Sequence, residues 1–91
     1  MKKTKHAQVR MQQRSIPQMV IDWLLDYGLT QDQGDARILY FNKKSKKLIR
    51  QYAGSEAMSI FQKYEKVYAV VSSNDDSIIT AGWKNRKFRR V

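Results

Sequence analysis

The apolar positions of this chain change period twice, and each change marks a boundary between elements. Ile16, Met19, Val20, Trp23, Leu24 and Tyr27 recur at spacings of three and four. This predicts a helix with one broad apolar stripe and places Trp23 and Tyr27 in a core. Ser15, with Gln18 three residues later, has the form of a capping box. Pro17 falls in the first turn, where its missing N–H does no harm, and Gly28 closes the helix. Upstream, Thr4 is placed to cap a shorter helix running to Arg14, behind a basic tail over residues 1 to 5. Residues 29 to 36 are mostly polar, bracketed by Gly28 and Gly34, and are expected to form a loop.

Beyond that loop, residues 37 to 42 contain four consecutive apolar side chains, Ile38 to Phe41. Such a run predicts a strand inside a sheet or one covered on both faces. Leu48, Ile49 and Tyr52 return to helical spacing, Gly54 ends that helix, and Ser55 caps another through Met58, Phe61 and Tyr64. From Lys66 onward the pattern is β-rich. Residues 66 to 73 and 77 to 83 are expected to pair as a hairpin about Asn74-Asp75-Asp76, with a last strand over residues 86 to 91. In the second of these strands Ile78, Thr80 and Gly82 are expected on one face and Ile79, Ala81 and Trp83 on the other. Thr80 is then a polar group among apolar neighbours and a candidate cleft residue. The order of elements predicts an α+β domain, with N-terminal helices and a middle helical segment on one face of a small antiparallel β-sheet.

Composition narrows the chemistry. A length of 91 residues suits one domain with one modest core, and 42% hydrophobic with 11% aromatic residues is enough to build it. Cysteine is absent, so there is no disulfide framework, no thiolate nucleophile and no thiolate zinc site. His6 is the only histidine and Asp75-Asp76 the only adjacent acidic pair, so neither a metal nor another cofactor is expected. No apolar run approaches the ~18 residues a membrane span needs, and no apolar stretch follows the basic N-terminus. The expectation is a cytoplasmic protein without a membrane partner.

Charge changes the picture most. The net charge is +10, an excess that self-repels unless an anionic partner is present. Fifteen of the eighteen Lys and Arg residues fall in three acid-free segments, residues 1 to 14, 43 to 50 and 84 to 91. The candidate phosphate contacts are therefore Lys43, Lys44, Lys46, Lys47, Lys84, Arg86, Lys87, Arg89 and Arg90. On the first helix His6, Arg10 and Arg14 lie four residues apart, on one stripe about 80° wide, so an imidazole and two guanidiniums point the same way. With no acid in residues 1 to 14 to neutralise it, that stripe suits a phosphate.

The series His6-Ala7, Arg10-Met11, Gln13-Arg14, Ile16 and Tyr27-Gly28, followed by Val70-Val71-Ser72 and Ile78-Ile79-Thr80-Ala81, resembles a family of small basic bacterial and phage domains. That family has no assigned function and is grouped by fold with the RelE toxins, barnase, the EndoU nucleases and the tRNA-cleaving colicins. The resemblance implies a RelE/barnase-like sheet with helices on one face and RNA on the open face. It also implies a metal-independent endoribonuclease in which the ribose 2′-hydroxyl attacks its own phosphate. His6 would then act as acid or base, because an imidazole exchanges protons in the physiological range. Arg10 and Arg14 would clamp the phosphate and Thr80 would donate a hydrogen bond.

One departure limits the catalytic expectation: with no second histidine, the partner of His6 must be a Tyr, Lys or Arg, as the resemblance to RelE toxins allows, or one of the sparse acids Glu56 and Glu65. A non-catalytic nucleic-acid binder competes, with RNA favoured over DNA and with Tyr40, Tyr68 or Trp83 as stacking groups. So does a phage or mobile-element accessory protein whose basic surface meets an acidic, antitoxin-like partner. A membrane-surface role is weakest, because Asp22 and Asp26 occupy the polar side of the Trp23 helix.

Overall fold

Thr4 starts the first helix: its hydroxyl accepts from the Ala7 N–H at 3.1 Å and donates to the Ile79 carbonyl at 3.0 Å. One side chain thus caps α1 (Lys5–Gln13) and ties it to a strand far away in sequence. The structure, a computed structural model, describes residues 3 to 84. After α1 come α2 (Gln18–Tyr27), β1 (Leu29–Gln33), β2 (Ala36–Tyr40), α3 (Lys43–Tyr64), β3 (Val67–Ser72) and β4 (Ile78–Trp83). The strands form one antiparallel sheet in the order β1-β2-β3-β4. The architecture is α+β, three helices against a four-stranded sheet, as the order of periods predicts. The strand predicted over residues 86 to 91 lies outside the described residues.

Local chemistry explains the element ends, and at one junction it differs from the sequence reading. Ser15 does not cap α2. It has φ 54° and terminates α1: its N–H donates to the Gln12 carbonyl, while the Ile16 N–H donates to the Met11 carbonyl at 2.9 Å. That is the Schellman pairing, sealed by the contact of two buried side chains, Met11 and Ile16. Pro17 takes the N-cap place of α2 and no side chain caps that helix. Gly28 does end α2, and a Cβ there would lie 2.4 Å from the Leu24 carbonyl oxygen. At α3 the Asn42 side chain accepts from the Ser45 N–H at 3.0 Å, and the Ser45 hydroxyl accepts from the Asn42 N–H at 3.2 Å. Gly54, with φ 89° and ψ 177°, breaks α3 where the sequence places the boundary between two helices.

Residues 29 to 33 form a strand, where polarity suggests a loop. β1 is an edge strand paired only with β2 and largely exposed, so it carries no apolar signature. The signal available was the dipeptide Gly34-Asp35, which makes a two-residue hairpin turn with Gly34 at φ 64°. β2 is interior, as its apolar run predicts.

The register assigns the faces. Leu39, Val67, Ala69, Val71, Ile78 and Ala81 point inward and join Ala7, Met11, Val20, Ile21, Leu24, Ile49 and Phe61 in one buried cluster. Two expectations shift here. Met19 is exposed, and Ile21 is buried in its place because α2 packs against both the sheet and α3. A bulge between Val70 and Val71 pairs Ile78 with Val71, turning Ile78 into the core and leaving Ile79 exposed. No helix of the described residues covers the opposite face.

Candidate nucleic-acid interface

The open face is a grid set by the strand pairing. One row runs Leu29, Tyr40, Tyr68 and Gly82; the next runs Gln31, Ile38, Val70 and Thr80. Ile38 is buried yet lies outside the core cluster, as a residue of this second face should. Two tyrosine rings therefore sit side by side on the central strands, with an apolar patch behind them.

Two cations reach this row. α1 runs alongside β4 in the same direction. The Thr4 N–H donates to the Ile78 carbonyl at the strand's start, and the Trp83 indole N–H donates to the Arg14 carbonyl, at 2.9 Å, near its end. At that end the Arg14 guanidinium swings over Gly82. A Cβ on Gly82 would meet Arg14 Nη1 at 2.6 Å and Tyr68 Oη at 3.1 Å. The absence of a side chain thus admits a guanidinium beside a phenol. Lys84, two residues beyond Gly82, holds its ammonium 5.5 Å from the Tyr40 ring centroid and donates to the Phe41 carbonyl at 3.5 Å.

The stripe predicted on α1 exists. Arg10 Nε donates to His6 Nε2 at 3.5 Å, and His6 and Arg14 are exposed with Arg10 half-buried. Four residues of helix rise about 6 Å, close to the span of two strand residues. With Arg14 at Gly82, Arg10 therefore falls at the level of Thr80 and His6 near Ile78. Thr80 is half-buried on the open face of β4, next to Gly82 on that face. The four residues named from the sequence thus line one margin of the sheet, without a hydrogen bond joining the stripe to Thr80 among the described residues. No carboxylate is bonded to His6 among the described residues, and Glu65 lies elsewhere, in a cavity described next.

That cavity, about 280 Å³, opens at the end of the sheet where β2 leads into α3. Lys43, Lys46, Lys66 and Lys84 surround it. Lys44 and Lys47, grouped with Lys43 and Lys46 by sequence, are exposed and do not line it. Lys66 stands outside the three basic segments of the sequence; only its place in the cavity lining marks it. Trp83, offered as a stacking group, faces inward, where it packs against Tyr64 with centroids 5.6 Å apart. Arg86, Lys87, Arg89 and Arg90 lie outside the described residues. No group of three or more potential metal ligands occurs among the described residues, and no helix of those residues is long and apolar enough to cross a membrane. No protein-family model, curated protein or solved structure matches this chain.

Proposed function

We propose that this domain binds single-stranded nucleic acid, RNA before DNA, across the open face of its sheet. The observation that carries this reading is the row Tyr40–Tyr68–Gly82, with Arg14 over the glycine and Lys84 over the Tyr40 ring. Unstacked bases gain about 1 to 3 kcal/mol each on an aromatic platform, whatever their sequence. Phosphates between them need cations beside the platform, and Arg14 at Gly82 and Lys84 at the Tyr40 ring supply two. Small α+β domains that hold single-stranded RNA do so with aromatics on a sheet face, which favours RNA as the ligand. A net charge of +10 supplies long-range attraction and predicts that affinity falls steeply with salt.

The test is the affinity of a short oligoribonucleotide over a series of salt concentrations. Log Kd should rise linearly with log salt, and Tyr40→Ala and Tyr68→Ala should each weaken binding about five- to a hundredfold. A flat salt response, or tyrosine variants that bind like the parent, overturns the reading.

A second reading, a metal-independent ribonuclease, draws on the Arg10–His6 contact and on Arg14 reaching the open face from the same stripe. A phosphodiester held between Arg10 and Arg14 would present its 2′-hydroxyl to His6 for deprotonation. Attack on phosphorus would then break the bond to the 5′-oxygen, which leaves as a hydroxyl with a proton taken from water, and form a 2′,3′-cyclic phosphate. Cyclic products that vanish in His6→Ala support it, while RNA left intact by pure protein rejects it and leaves the binding reading in place.

A further inference from the structure

We propose that the lysine-lined cavity at the start of α3 is a receptor for a phosphate monoester, either the terminal phosphate of a nucleic-acid strand or that of a free nucleotide. Four ammonium groups reach it from three places in the chain: Lys43 and Lys46 from the first turns of α3, Lys66 from the junction before β3, and Lys84 from just past β4. Glu65 is the one carboxylate in the lining, so positive charge is in excess by three. None of Lys43, Lys46 or Lys66 is ion-paired among the described residues. Lysines brought together from separate elements repel one another, and with Glu65 the single acid in the described lining to offset that cost, the arrangement favours an anion between them.

The floor strengthens this. Phe41 and Phe61 line the bottom edge to face, with centroids 5.0 Å apart, and both are buried. Apolar walls exclude water, and a charge interaction beside them is screened less than one on an open surface. The cavity measures about 280 Å³. That space takes a phosphate together with part of its sugar.

Lysine ammoniums act as point charges rather than as a planar fork, so they sense the amount of charge more than its geometry. A monoester carries about −1.5 to −2 near neutral pH, against −1 for the diester of a strand interior. The cavity therefore prefers the end of a strand or a mononucleotide. Lys84 belongs both to this cavity and to the Tyr40 ring, so a strand stacked along the tyrosine row can end with its terminal phosphate here. The strand-end source rests on the proposed open-face function; the free-nucleotide source does not.

The experiment compares one oligoribonucleotide with a 5′-phosphate, a 3′-phosphate or hydroxyl ends, and adds AMP and inorganic phosphate as separate ligands. Amide shifts of Asn42 to Lys46 and of Lys66 are followed in the full chain. The expected result is about tenfold tighter binding of one phosphorylated strand than of the hydroxyl-ended strand, a difference that disappears in the double variant Lys43→Gln, Lys46→Gln, to which all three strands bind alike. If no strand binds but AMP shifts the cavity amides, the cavity proposal stands and the open-face reading fails. If all three strands bind alike, and neither AMP nor phosphate moves those amides, the cavity proposal is overturned and the open-face reading survives. Lys43 is exposed and Lys46 half-buried, so circular dichroism of the double variant should match the parent.

Discussion

Gly82 has no positive φ, so a larger residue meets no backbone penalty there; what matters is the volume its side chain would fill. An added Cβ would displace Arg14 Nη1, the mobile end of a long side chain, and press on Tyr68 at 3.1 to 3.2 Å. Gly82→Ala should therefore change stability by about 1 kcal/mol or less. By moving the guanidinium off the tyrosine row it should weaken RNA binding by about 1 to 2 kcal/mol, roughly five- to thirtyfold in Kd. Thermal melting and a binding titration on one sample check both halves, and an affinity equal to the parent's would remove Arg14 from the interface. Nothing in the sequence singles out this glycine. Thr80 was noticed two residues earlier as a polar group on an apolar strand, but what crosses the strand at Gly82 depends on where α1 lies.

At the scale of elements, the break in α3 makes the sharpest prediction. Gly54 has φ 89° and ψ 177°, a region open almost only to glycine, and a Cβ there would meet nothing within 4 Å. Gly54→Ala should thus cost about 1 to 3 kcal/mol through backbone conformation alone, measured as a shift in the denaturant midpoint. A loss below about 0.5 kcal/mol would mean that the two halves of α3 can rejoin without disturbing Phe61. This boundary was readable from Gly54 because a glycine's backbone preference acts locally. Ser15 shows the converse. Its sequence context fits an N-cap, yet the six-to-one and five-to-two bonds of α1 claimed it first, and the buried pair Met11 and Ile16 holds that choice. β1 escaped notice for another reason: an exposed edge strand buries too little to leave a period.

At the scale of the whole molecule, three helices share one face of the sheet, and Trp23 is a large side chain between α2 and that core. Trp23→Ala should destabilise the fold by about 3 to 5 kcal/mol. Urea unfolding measures it, and a loss under about 1 kcal/mol would show that Trp23 does not pack inward. The same packing leaves the other face of the sheet without a helix among the described residues and brings Lys84 together with Lys43 and Lys46 of α3 around one cavity. The helices, the Thr4 cap, the glycine boundaries at Gly28 and Gly54 and the interior strand followed from residues within a few positions of each other, because capping, helical period and apolar runs are short-range interactions. So did the excess of positive charge, which is a sum and needs no geometry. The faces were decided only on folding. The bulge at Val70 and Val71 reversed Ile78, the register set Tyr40 beside Tyr68, and Lys66 joined Lys84 across β3 and β4. Each of these depends on which distant residues pair, and a shift of one position in a strand moves every side chain to the opposite face.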